Sequence, residues 1–387
     1  MNHLGLTSSP VRAQLKSQSG TLRLSQILAP DDNSFGVVRI ALAVAVLVSH
    51  AFFLASGSAS AEPLVAWTGH SLGEHAVQVF FFLSGVLVAC SFDTRRSVIA
   101  FATARALRIF PGLAVCVLLT ALVFGPLVTA LPPAAYLGDA GTYSYIARTL
   151  SLSTGSASLP GVFAANPEPG LVNMSLWTLK YEALCYAGLA VLGAAGFFSA
   201  RRPIAAIALA CVLAVVFLKS PDPQAAYSSL DNLRYFVLFF GMGVLACLLR
   251  DRLVLRGEIV AALFLAFVLG IGSAAGELLS ALFLGYATLW AAQFRFGALR
   301  AWTNRFDLSY GVYIYACPLQ QLLVERAPGI GIAGQIALAL VFVLPLALLS
   351  WLIVERPALE LRHSASATLD VFLAGRVRAR PALPRVS

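Results

Sequence analysis

With 387 residues the chain has room for two or three soluble domains, or for one membrane domain of about ten spans. Hydrophobic residues make up 59%, charged residues 12%, and the mean hydropathy is +0.82, which excludes a water-facing globular surface and leaves lipid to cover the excess. The net charge of +9 is spread through short loops instead of being clustered with aromatics, so a nucleic-acid partner is excluded as well.

Residues 1–34 read as a cytoplasmic N-terminal segment. They carry Arg12, Lys16 and Arg23 but no apolar stretch ending in a small-residue cleavage site, so no cleaved signal peptide is expected. A helix needs about 20 largely apolar residues to cross the bilayer. Ten stretches qualify, near 36–56, 76–92, 107–130, 177–198, 204–218, 233–249, 258–275, 277–292, 308–325 and 333–354. If the N-terminus lies inside, 21 of the 27 Lys and Arg fall on inner segments; the other six are Arg39, Arg148, Lys180, Lys219, Arg234 and Arg326. That alternation holds along the whole chain and predicts an all-α polytopic membrane protein of about ten transmembrane helices with both termini cytoplasmic. The transmembrane domain covers residues 35–356, and the basic tail 357–387 is expected to be disordered or associated with the lipid surface. The outer loop 131–176, rich in Pro, Gly, Ser and Ala, is too long for a plain connection. All six cysteines fall in apolar runs without paired spacing, so they are expected as small core residues, with neither a disulfide nor a metal site.

An ionisable residue within a span is costly and therefore a functional candidate. Arg39 and His50 of the first span are eleven positions apart, which puts them within roughly 20° on one helix face and about 16 Å apart along the axis. Arg39 then lies near the cytoplasmic surface and His50 in the outer half. In the fourth span Glu182 and Tyr186 share a face at i and i+4. At matching depth, Glu182 could orient the His50 imidazole and stabilise its protonated form. Lys180 points elsewhere and reads as an interfacial anchor. Arg105 and Arg108, at i and i+3 near the inner end of the third span, offer two planar donor forks suited to phosphate. Together with Arg39 they could surround one anionic ligand.

The ordered set Arg39-x10-His50, Phe80–Gly85 (FFFLSG), Arg105-Ala-Leu-Arg108-Ile-Phe-Pro111, Asn173-Met-Ser-Leu-Trp177 with Glu182-x3-Tyr186, and Ser309-Tyr-Gly-Val-Tyr313 resembles bacterial membrane acyltransferase family 3. The resemblance covers about residues 35–356. It implies an inner-membrane O-acyltransferase that modifies O-antigen, exopolysaccharide or nodulation-factor glycans. It also implies that His50 is essential for acyl transfer and that Arg39, Arg105 and Arg108 serve at the cytoplasmic side. The chain departs from the family at Ala316, where many members carry a second histidine.

On this reading acyl-CoA, most simply acetyl-CoA, binds from the cytoplasm with its phosphates on Arg39, Arg105 and Arg108, and no metal takes part. His50 acts as general base or carries the acyl group; Glu182 orients it, and Tyr186 donates to the developing oxyanion. The acceptor is a hydroxyl of a cell-surface or lipid-linked glycan arriving from the outer side. A polysaccharide-precursor transporter is the alternative, but its polar residues would be spread over more spans than the first and fourth.

The charge pattern generates a topology prediction. A reporter fused after Ser387 should read cytoplasm and one inserted near Ser156 the outside; an external reading at Ser387 overturns the ten-span arrangement.

Overall fold

A computed structural model describes residues 22–28, 33–153, 158–198, 202–218, 229–273 and 275–362. The apolar runs become helices α1 (Phe35–Ser56), α2 (Leu72–Arg95), α3 (Val98–Leu119), α4 (Leu179–Ala194), α5 (Arg202–Leu218), α6 (Ser229–Leu248), α7 (Gly257–Gly270), α8 (Gly276–Ala291), α9 (Ser309–Arg326) and α10 (Gly331–Ser350). Each predicted span therefore contains a helix. Among the described residues α1, α2, α6 and the extended α3 and α10 are long and apolar enough to cross a membrane; α4, α5, α7 and α8 are shorter. Large apolar side chains lie open on the periphery, such as Leu269 at 77% exposure on α7 and Val191 at 68% on α4, and only lipid suits such a surface. The chain is a mostly helical, multi-pass membrane protein. A two-residue antiparallel ladder between β1 (Leu22–Arg23) and β2 (Val254–Leu255) is the strand content of the described residues. The tail beyond residue 362, Lys219 and Ser156 lie outside the described residues.

Local chemistry sets the helix ends. Ser71 and Glu74 form a reciprocal capping box at the start of α2, the Ser71 hydroxyl accepting from Glu74 N at 3.1 Å and the Glu74 carboxylate from Ser71 N at 2.6 Å. Both α3 and α10 run on through a wide π turn, Thr120–Phe124 and Trp351–Glu355 respectively, and each turn stops just before a Gly-Pro or Arg-Pro pair. Proline brings no N–H and crowds the preceding turn, and the wider register relieves both problems. Pro126 leaves the Ala121 carbonyl without a helical donor, and the Tyr136 hydroxyl supplies one at 2.7 Å. Pro318 in α9 likewise frees the Ile314 carbonyl, which accepts from Asn173 Nδ2 at 2.8 Å and from Cys116 Sγ at 3.3 Å. These bonds pin the segment that follows α3 to the bundle. Its helices Pro133–Gly138 and Ala140–Leu150 bury Tyr136 and Tyr145, and Asn166 Nδ2 donates to the Gln321 side chain at 2.7 Å. It is folded structure.

The closest helix crossing is that of α2 and α6. A Cβ on Gly85 would strike the Phe240 carbonyl, and one on Gly243 the Phe82 carbonyl, so small residues on both sides let the backbones meet. That explains the glycine ending FFFLSG. Beside the crossing Cys90 and Cys247 form a disulfide with their Cα atoms 5.7 Å apart, which corrects the expectation of six unpaired core thiols. The partners are 157 residues apart, so spacing held no hint of a pairing made by the helix approach. Cys116, Cys185 and Cys317 are buried as expected, whereas Cys211 is exposed on the apolar periphery.

Gly85→Ala should lower the thermal unfolding midpoint in detergent by the equivalent of about 1–3 kcal/mol, the cost of overpacking. Gly188→Ala, where an added Cβ meets nothing within 4 Å, serves as control and should leave the midpoint level or slightly raised.

Candidate active site

Four helices, α1, α3, α9 and α10, converge at one end of the bundle on one carboxylate that the sequence motifs did not single out. Asp307, two residues before α9, receives Arg39 Nη2 at 3.2 Å and Arg108 Nη2 at 2.9 Å on a single oxygen, while the Ser309 hydroxyl donates to the other at 2.7 Å. Burial alone would raise the Asp307 carboxyl, but Arg108, Arg39 and Ser309 outweigh it and hold it down at about 2. The other amino group of Arg108 lies 3.5 Å from Glu355, which the π turn of α10 rotates inward and which also accepts from Ser350 at 2.9 Å. Tyr310 completes the cluster, lying under the Arg108 guanidinium at 5.4 Å and donating to the Ile109 carbonyl at 2.7 Å.

Next to this cluster opens a cavity of about 280 Å³, lined by Arg39, Arg105, Arg108, Glu182, Tyr186 and Tyr310 with apolar residues of α2. The three arginines expected to share one anion site do line one space, but they are not equivalent. Arg39 and Arg108 are committed to carboxylates. Arg105 has no carboxylate within ion-pair distance among the described residues, and its guanidinium lies 5.8 Å from the Tyr186 ring centroid. Tyr186 donates a short hydrogen bond to Glu182 and meets the Ser84 hydroxyl at 2.8 Å.

His50 borders a second cavity of about 390 Å³ toward the opposite end of the bundle, with Ser49, Glu62, His70, Glu74, Trp177 and Tyr235 among its walls. The structure does not bring His50 and Glu182 together: each lines a different cavity, and Glu182 spends its hydrogen bond on Tyr186. The expected pairing rested on equal depth alone, which does not fix the faces that two helices turn toward each other. The His50 Nδ1 is enclosed without a hydrogen-bond partner. His70 sits 2.6 Å from Glu277 of α8 and 3.8 Å from Glu74; burial would lower its pKa, but the two carboxylates push it up to about 10. It is a cation at neutral pH.

Val77 and Tyr313 border both cavities, so the two spaces meet at these side chains. The Tyr313 hydroxyl is paired with that of Thr178 at 2.7 Å, and its ring meets Phe80 edge-on at 5.9 Å. The Ser-Tyr-Gly-Val-Tyr motif thus supplies the Asp307 clamp, the Arg108 platform and the neck between the cavities. Ala316 and Cys317 of the same helix are buried core. Asp307, Glu355 and Glu62 were missed because each looks like an ordinary helix-end acid; the one available signal was their position at the depth of the arginines or of His50. Among the described residues no group of three or more His, Cys, Asp or Glu side chains is arranged to hold a metal ion.

Residues 32–355 match the protein family described as an acyltransferase domain. An O-acetyl transferase of Shigella phage Sf6 is 30% identical over 351 residues, which cover 87% of this chain and 99% of that protein. Nodulation protein 10 of Rhizobium leguminosarum bv. viciae is 29% identical over 367 residues, covering 87% of this chain and 95% of its own length. No solved structure matches the chain.

The Asp307 clamp can be read by pH. Its folded-state carboxyl lies below its ordinary value of 3.8, so its stabilisation is complete above that value and fades as pH falls toward about 2. Asp307→Asn should cost roughly 1.5–3 kcal/mol at neutral pH. Thermal midpoints of wild type and variant, measured in detergent from pH 7 downward, should therefore stay apart to about pH 4 and converge only in stronger acid.

Proposed function

The chain belongs to the acyltransferase family whose domain it matches over residues 32–355, and from that premise we propose that it is an O-acetyltransferase of the bacterial inner membrane. In this reading acetyl-CoA enters the inner cavity from the cytoplasm and the acceptor, a hydroxyl of a cell-surface or lipid-linked glycan, enters the outer one. The observation that carries the reading is the pair of cavities meeting at Val77 and Tyr313, with a cationic wall at one end and the His50 imidazole at the other. A donor needs its phosphates held by positive charge and its thioester delivered some distance away, beside a base. The phage relative named as an O-acetyl transferase supports acetyl as the group transferred.

Arg105 is the principal phosphate ligand, because its fork is not committed to a carboxylate. Arg39 and Arg108, fixed by Asp307 and Glu355, form the rigid positive wall behind it. Tyr186 and Glu182 act on the donor side, where they set the position of Arg105. His50 Nε2 removes the proton from the acceptor hydroxyl as the oxygen attacks the thioester carbonyl; the carbon–sulfur bond breaks, and the imidazolium returns the proton to the departing CoA sulfur.

All ten helices cross the membrane in this reading, with both termini cytoplasmic. Polar contacts between loops sort into two sets that agree with the charge count. The Asp307 cluster, the Arg250–Asp93 pair at 2.8 Å and the β1–β2 ladder join segments expected inside. His70–Glu277 and Asn166–Gln321 join segments expected outside.

Arg105→Ala should weaken donor affinity by about 10- to 150-fold, the worth of a hydrogen bond to a charged group, and saturating acetyl-CoA should restore turnover. His50→Ala should be inactive at every donor concentration while inserting normally. Transfer of radiolabelled acetyl from acetyl-CoA to membrane glycan by the purified, reconstituted protein tests both. Unchanged donor affinity in Arg105→Ala, or full activity in His50→Ala, overturns the assignment.

A further inference from the structure

Most charged groups around the two cavities are held in ion pairs, and those outside one are informative. In the inner cluster Arg39 and Arg108 are matched by Asp307 and Glu355, which leaves Arg105 and the Tyr186-bound Glu182 facing the donor space outside any ion pair among the described residues. In the outer cavity the His70 cation is matched by Glu277 and Glu74. Glu62 remains. It is 5% exposed, borders the same cavity as His50, and has no cationic partner among the described residues.

Glu62 is held with care. The hydroxyl of Ser49, the residue before His50 on α1, donates to one carboxylate oxygen at 2.5 Å, and the backbone N–H of Leu72 donates to the other at 2.5 Å. Leu72 is the first residue of the 24-residue α2, so the carboxylate sits where the orphan N–H groups and the helix dipole favour negative charge. Gly73 lets this helix start lie against α1, since a Cβ there would come within 2.8 Å of the Ser49 hydroxyl. A buried anion without a counterion is expensive unless a cation forms beside it. The proton transfer creates such a cation: the imidazolium of His50.

We propose that Glu62 is the positioning anion of the His50 site, a clamped carboxylate that stabilises the imidazolium formed while the acceptor hydroxyl is deprotonated. Glu62 takes the part that the helix spacing had suggested for Glu182. It acts through the electric field across the cavity and through the Ser49 clamp that holds the start of α2 against α1 next to His50. The proton ends on the CoA sulfur as before, and Glu62 remains a carboxylate throughout. The other titratable groups around His50 leave this role open to it: His70 and Glu74 are engaged with each other and with Glu277 of α8, His75 of α2 is bound by Gln78 at 2.9 Å, Arg234 of α6 is paired with Asp231 at 3.2 Å, and Tyr313 of α9 is bound to Thr178. Tyr235 of α6 stacks on His70 at 6.1 Å, and Lys180 of α4 lies over the Tyr181 ring at 4.7 Å.

This assignment rests on the acyl-transfer reading, and the test separates the two. The wild-type protein is assayed first in the reconstituted acetyl-transfer system; failure of wild type, or full activity of His50→Ala, refutes the acyl-transfer reading itself. Given an active wild type, Glu62→Gln should lower kcat at least tenfold with the KM for acetyl-CoA unchanged. It should also move the acidic limb of the kcat/KM profile to lower pH by about one unit, because an imidazole without its neighbouring anion gives up its proton more readily. Glu62→Asp, which keeps the charge, should hold the wild-type limb even if kcat falls. A Glu62→Gln enzyme that loses activity equally at all pH values, or that keeps full activity, overturns the proposal. Should Glu62→Gln fail to accumulate, Ser49→Ala keeps the charge and loosens one clamp: a lowered kcat with an unmoved limb supports the proposal, and wild-type kcat overturns it.

Discussion

One oxygen of Asp307 receives both Arg39 and Arg108, and the arrangement of the bundle at this end follows from that shared contact. Through it the first helix, the third and the ninth are tied at a common depth, and Arg108 extends the tie to Glu355 of the tenth. Guanidinium groups at a membrane surface would otherwise turn toward water or headgroups. A partly buried carboxylate with its own serine donor holds them inward, and the price in desolvation is offset by two opposite charges and a platform of Tyr310. A cavity wall of fixed positive charge results, with Arg105 beside it outside any ion pair among the described residues.

The proteins of membranes must satisfy every backbone group that leaves helical register, and three prolines show how this chain exploits the requirement. Pro318 frees the Ile314 carbonyl, which becomes the docking point for Asn173 and so fixes the segment that ends in Thr178 at the cavity neck. Pro126 frees the Ala121 carbonyl for Tyr136 and anchors the short helices after α3. Pro357 follows the π turn that swings Glu355 onto Arg108. Breaks in helical hydrogen bonding thus create the attachment points that shape both cavities.

Charge is separated along the passage. Ion pairs hold most of the charged groups, while the Arg105 guanidinium borders one cavity and the clamped Glu62 carboxylate the other. Such a distribution suits a reaction whose donor carries phosphates on one side of the membrane and whose transient cation, an imidazolium, forms toward the other. Tyr313, shared by both cavities and held by Thr178, stands where the two spaces meet.

The sequence by itself determined the lipid-facing class, the positions of the helices, the clustering of three arginines and the isolation of one histidine. Each of these follows from composition or from the 3.6-residue period, which act within one helix and need no knowledge of its neighbours. Helix ends were less legible: α3 begins at Val98, well before the apolar run near 107, because Ser97 caps it and arginines extend it. What lay beyond the sequence was everything decided by contact between helices. Equal depth suggested Glu182 for His50, but the rotation of α4 turns that carboxylate to Tyr186 and the cavity lined by the arginines. Cys90 and Cys247 meet only because two glycines bring α2 and α6 together. Asp307, Glu355 and Glu62 carry no distinguishing pattern in the chain; their partners lie on other helices, and a charge acquires its role from the opposite charge or the cavity that packing sets beside it.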